Sequence, residues 1–288
     1  MKYKVAPSDY DYNTNKQIIE DLIKEYPFLN VQLIGRTSLG RGIFSLSLGT
    51  CKNNAVYTGS VRGSDGLSCL ILYLFMERLC YAVKNNSTLA SVNIRKALTH
   101  SGITVIPCLN PDGREIFRHG AGTAGSLSSF VSSLCGTDKT QWSSNAMGVD
   151  ISRNFIFSDS SAEPVCSPAP SLFRGDYPES EAETRALTRL CRLRCFRQCI
   201  EIFSGEDEIF YRSEQEEPIS SQMMAKILSF SCGCPVSTDK SFRQAGIMDW
   251  FIREFRRPAF SLGVSGNAGE LYSVYSRLEE ALTVFALL

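Results

Sequence analysis

Apolar residues recur at helical spacing at Ile18, Ile19, Leu22 and Ile23, and the pattern stops before Pro27. Val31–Ile34 and Ile43–Leu48 read as strands on either side of the turn Gly40-Arg41-Gly42. Ala55-Val56-Tyr57-Thr58 predicts a short core strand, followed by a Gly-Ser loop over Gly59–Gly66 and a strong helix from Leu67 to Lys84. Ile103–Leu109 is nearly all apolar, as in a strand buried on both faces of a parallel sheet. Glu179–Cys191 predicts a charged helix, and Gln198–Ile202 and Glu208–Tyr211 predict strands. Pro218–Phe230 predicts a helix, Ala259–Val264 a last core strand and Leu271–Leu288 an amphipathic helix. Gly120–Trp142, rich in Gly, Ser and Thr, and Ser158–Ser171, with three prolines, predict surface excursions. Strands alternating with helices imply a three-layer α/β/α sandwich. Ligand sites in such sheets sit in strand-end loops, here Gly59–Gly66, Leu109–Gly113, Ser152–Phe155, Phe203–Glu208 and Ser261–Gly266.

Composition narrows the partners more than the fold. The 288 residues are 43% hydrophobic, ample for a large core. Lys+Arg and Asp+Glu are 30 each, so neither nucleic acid nor a polybasic membrane contact is expected. Met1–Tyr10 has no apolar run, and Leu67–Phe75 is interrupted by Ser68 and too short to span a bilayer. A cytoplasmic location with reduced thiols is therefore expected. The 11 cysteines lack the spacing of a disulfide framework. Cys191, Cys195 and Cys199 are predicted on one helical face, and Cys232-Gly233-Cys234 is a C-x-C; neither has a second ligand pair for zinc, so both read as structural thiols.

Three segments occur in a telling order: Asn110-Pro111-Asp112-Gly113, then Gly148-Val149-Asp150-Ile151-Ser152-Arg153-Asn154-Phe155, then Ser180-Glu181-Ala182-Glu183-Thr184. Tyr26-Pro27, Ile34–Arg41 and Ala245–Phe251 extend the pattern. Together they resemble the zinc metallocarboxypeptidases, the carboxypeptidase A-like family, and most closely its bacterial branch with γ-D-glutamyl-meso-diamino-acid peptidases. The resemblance implies a single carboxypeptidase-like domain over residues 1–288, with a mixed, mostly parallel central sheet. It also implies a zinc site, and there this chain departs from the family. Arg62 and Asp65 stand where the His-x-x-Glu ligands belong, Phe203 where the third ligand belongs, and Gly263 where the general-base glutamate belongs. Arginine has no lone pair to donate and phenylalanine no ligand atom, so no zinc cofactor is expected. Without a carboxylate at 263, nothing obvious activates water.

Some binding positions persist. Ser152-Arg153 matches the family pair that grips a peptide's terminal carboxylate, a task suited to the planar fork of arginine. Met248 lies near the specificity-pocket position, and Met147 stands near that of a carbonyl-polarising arginine. His100 and His119 lack a catalytic partner in sequence, and Glu206, Asp207 and Glu208 read as a solvated acidic loop. Three functions follow as expectations. The first is a pseudopeptidase binding a peptide or peptidoglycan stem-peptide carboxylate, with Arg62 turned inward to pair with Asp65. The second is an active peptidase with a non-standard site. The third is a scaffold with a vestigial pocket.

Overall fold

The computed structural model describes residues 5–50, 53–135, 142–156, 165–211, 217–237, 246–266 and 269–287. Its first half contains α1 (Tyr12–Glu25), β1 (Asn30–Arg36), β2 (Gly42–Gly49), β3 (Asn54–Thr58), α2 (Leu67–Asn85), a small hairpin of β4 (Thr88–Leu89) and β5 (Val92–Asn93), α3 (Ile94–Ala97) and β6 (Gly102–Ile106). Then come α4 (Pro111–His119), α5 (Ser128–Cys135), α6 (Ala182–Arg194), β7 (Gln198–Ser204), β8 (Glu208–Phe210), α7 (Ser220–Cys232), α8 (Ile247–Phe255), β9 (Ala259–Val264) and α9 (Leu271–Leu287). The seven-stranded sheet runs β1-β2-β6-β3-β7-β9-β8. Strands β6, β3, β7 and β9 are mutually parallel, whereas the β1–β2, β2–β6 and β9–β8 pairings are antiparallel. Residues of α1, α2, α7 and α9 pack in one apolar cluster on one face, and residues of α6 and α8 in a second on the other. This is the expected three-layer sandwich. Among the described residues, no helix is long and apolar enough to cross a membrane.

Several local expectations are corrected. Pro111-Asp112-Gly113, expected within the strand-end loop Leu109–Gly113, opens helix α4. The Asn110 side chain accepts from Gly113 N at 2.8 Å, and Pro111 occupies the first turn, where its missing N–H costs nothing. The stretch after Gly120 is no mere excursion. A 3-10 helix (Ala121–Leu127) and α5 bury Ala124 and Val131 with Ile116, Trp142 and Ala146 in a third cluster. Parts of both predicted excursions, residues 136–141 and 157–164, lie outside the described residues, as does Ala245. Cys191, Cys195 and Cys199 do not share a helical face: α6 ends at Cys195, which is left-handed, and Cys199 belongs to β7. The described cysteines are free thiols.

The family motifs act mainly as braces. Asn145 donates to Glu181 Oε2 at 2.7 Å while its Oδ1 accepts from Met147 N and Val149 N. Asp150 accepts from Ser152 and from Leu172 N, and Asn154 binds Arg174 O, Ser180 Oγ and Glu181 N. The backbone of Gly63 approaches that of Gly113 so closely that a Cβ on Gly63 would stand 2.5 Å from Gly113 O. Arg114, next in the chain after Gly113, is 1% exposed. Its Nε donates to Tyr10 O at 2.8 Å, Nη1 to Gly63 O and Ser64 O at 3.2 Å each, and Nη2 to Pro7 O and Ser8 O at 2.9 and 3.0 Å.

Two predictions follow from these buried charges. Arg114→Met leaves the cage of carbonyls without donors and is expected to cost about 3–5 kcal/mol in urea unfolding, with Arg114→Lys recovering only part because it lacks the fork. Glu183 is fully buried, and burial, with the charges of Asp112 and Glu181, pushes its carboxyl up to about 8 from an ordinary 4.5. The folded state thus holds a proton that the unfolded state has released, so stability falls as pH rises from 4.5 through about 8. Denaturation midpoints across that window test this: Glu183→Gln should flatten the fall and be the more stable protein at the alkaline end.

Candidate functional site

The parallel strands β3, β6, β7 and β9 bring four loops to their C-terminal ends, where ligands bind in such sheets. The loop after β3 carries Arg62 and Asp65, the end of β7 carries Phe203, and β9 carries Gly263. Phe203 and Gly263 are direct partners in the β7–β9 register. Arg62, Asp65, Phe203 and Gly263 therefore belong to adjoining elements.

Asp65, 4% exposed, is fully engaged. Its Oδ1 accepts from Ser68 N at 3.1 Å and from Ser204 Oγ at 2.5 Å, and its Oδ2 accepts from Ser204 N at 3.0 Å. The carboxylate thus caps the first turn of α2 and latches it to the end of β7. The ion pair expected between Arg62 and Asp65 does not form, because Ser68 and Ser204 already take the carboxylate oxygens. Arg62 is half-buried, and its guanidinium has no hydrogen bond or ion pair among the described residues.

Phe203 fills the space beside Gly263. Its ring is 7% exposed and packs 6.4 Å from that of Phe210, in the apolar cluster shared with Val61 and Met248. A Cβ at Gly263 would stand 2.2 Å from Glu206 O and 3.0 Å from Phe203 Cζ. No side chain fits at 263 unless the β7–β8 connection moves. The residues that the resemblance sets at the zinc position do not fit the ion: an arginine, a phenylalanine and a carboxylate already bound by three donors supply no coordination sphere.

The binding residues are less uniform. Ser152 is buried with its hydroxyl donated to Asp150 Oδ1 at 2.6 Å, so it braces its own turn. Arg153 ends that 3-10 turn half-buried. Met248 is 2% exposed within the second apolar cluster, and Met147 is 40% exposed. Asp207 is not simply solvated: it accepts from Ser265 N and Oγ and pairs with Arg277. Cys232 and Cys234 are both buried; the Cys234 thiol donates to Cys232 O and, beside the Cys232 thiol, holds it below the usual thiol range.

One acidic-histidine group does bring ligand atoms together, away from the strand ends. Asp11, Glu115 and His119 place one atom each within 4.8 Å of the others. Asp11 Oδ1 caps α1 through Thr14 N, its Oδ2 faces His119 Nε2 at 3.1 Å, and Glu115 Oε1 accepts from Tyr12 N at 2.8 Å. These contacts tie α1 to α4. Sequence reading did not single out Arg114 or Ser204. Ser204 directly follows a substituted ligand position, which was an available signal; nothing in the sequence marks Arg114 as buried.

Comparison with known proteins agrees with this architecture. A γ-D-glutamyl-L-diamino acid endopeptidase of Lysinibacillus sphaericus is 26% identical over 286 residues, covering 96% of this chain and 71% of the relative. Carboxypeptidase A from Helicoverpa armigera superposes with a TM-score of 0.74 at 16% identity, covering 98% of this chain and 75% of that one. The murein-tripeptide amidase MpaA of Escherichia coli O157 superposes at 0.56 with 15% identity, covering 88% and 91%. The zinc carboxypeptidase profile matches residues 16–247, most of the chain, and the protein belongs to that family.

Proposed function

We propose that this chain is a non-hydrolytic member of its family, binding a peptide through its terminal carboxylate without cutting it. The observation that carries the reading is the Phe203 ring packed beside Gly263, together with the latch that occupies Asp65. A water molecule at the strand ends would find neither a Lewis acid nor a free base. Arg153 supplies the cationic fork for a carboxylate, and the retained Asp150 and Asn154 braces hold the turn that presents it. The bacterial proteins it resembles, a γ-D-glutamyl-L-diamino acid endopeptidase and a murein-tripeptide amidase, favour a peptidoglycan stem peptide as the ligand.

A second reading rests on Asp11, Glu115 and His119: an ion held there would make the protein metal-dependent at a place unrelated to the family's centre. It would steady the α1–α4 contact rather than polarise a peptide at the strand ends.

Calorimetry with the tripeptide L-alanyl-γ-D-glutamyl-meso-diaminopimelate, run beside ordinary dipeptides, tests the first reading. Binding should occur and weaken about 30-fold in Arg153→Ala, the loss expected for a charge-assisted carboxylate contact. Incubation of the same peptides with added zinc should leave them intact; released diamino acid would refute the reading. If zinc copurifies with the protein, its loss in His119→Ala, with the thermal midpoint otherwise kept, assigns it to the α1–α4 group.

A further inference from the structure

Helix α7 is apolar on two sides. Its inner side sets Ala225 and Leu228 into the main core, where the helix packs on α9. Its outer side carries Ile219 (its N-cap), Met223, Ile227 and Phe230, exposed by 102%, 64%, 44% and 92%. At the α-helical repeat these positions fall within about 80° of one another, so they form one continuous stripe. A helix that is apolar all round ordinarily belongs in an interior. Monomeric proteins seldom leave such a stripe to water.

We propose that this stripe is an interface between two copies of the chain, with α7 packed antiparallel on α7 across a two-fold axis. Four exposed side chains of this size offer on the order of 500 Å² per copy. The pair then buries about 1,000 Å², which reaches the lower bound for a specific interface and suits a weak, reversible dimer. Charge favours a second copy over an oppositely charged partner. The helix carries one charged residue, Lys226, and the chain's formal net charge is zero. Two copies therefore do not repel, and nothing on the helix draws in a polyanion. An axis through the middle of the stripe sets Ile219 of one copy against Phe230 of the other. Lys226 then lies beside Met223 of the second copy, so the two ammonium groups do not face each other and the lysine stem covers the thioether. An anionic membrane would call for a row of lysines or arginines that α7 does not have.

Sedimentation of the whole chain over roughly 1–100 µM tests this. The expected result is a reversible monomer–dimer equilibrium. Phe230→Glu and Ile219→Glu should each weaken it by about 30-fold or more, while Phe230→Leu retains it. Both positions face solvent, so thermal midpoints should stay near that of the parent, and a variant whose midpoint collapses is replaced by Met223→Glu. A monomer throughout the range, or a dimer indifferent to Phe230→Glu, overturns the proposal. Flotation of monomer with vesicles of equal parts phosphatidylcholine and phosphatidylglycerol, abolished by Phe230→Glu, would assign the stripe to a membrane and overturn it too.

Discussion

Arg114 enters the interior with its charge and meets no carboxylate among the described residues. Its partners are backbone carbonyls of Pro7, Ser8, Tyr10, Gly63 and Ser64. A buried cation of this kind is tolerable only if its donors are met, and here each guanidinium nitrogen has at least one acceptor. The arrangement joins three parts of the chain: the approach to α1, the loop after β3 and helix α4. The close Gly63–Gly113 backbone contact depends on the same geometry. The loop bearing Arg62 and Asp65 is thus held in place by a structural charge.

What that loop presents is a centre rebuilt around hydrogen bonding and apolar packing. Asp65 caps α2 and latches it to Ser204, and Phe203 is a ring in the core. Position 263 is coupled to that ring, since Phe203 and Gly263 are register partners and a Cβ at 263 would crowd the ring. Reversing one substitution therefore does not reverse the other. The braces around Arg153 are of a different kind: Asp150, Asn154 and Asn145 keep hydrogen bonds that do not depend on any metal.

Much of this was legible in the sequence because it rests on residue type and order. Continuous apolar runs and period-3.6 patterning located the core strands and the long helices, and the ordered family segments pointed to the fold. What was not legible rests on three-dimensional competition. Asp65 had a cation three residues away in Arg62, yet hydrogen bonds from Ser204, brought in by the β3–β7 pairing, took its oxygens. Polar composition hid the helix Ser128–Cys135, whose Val131 packs on Trp142 and Ile116 contributed from elsewhere. Cysteines four apart suggested one helix face, but the left-handed cap at Cys195 ends the helix before Cys199. Met248 carried a pocket expectation from its place in the chain, and the second apolar cluster buries it.

A non-hydrolytic chain should bind no zinc ion beside Asp65. Crystals grown with zinc and measured at its absorption edge give the most direct answer. The prediction is that no anomalous peak lies at the roughly 2.0–2.2 Å bonding distance from Asp65, with Phe203 still packed beside Gly263. A well-occupied peak coordinated by Asp65, with Ser204 displaced, would contradict it.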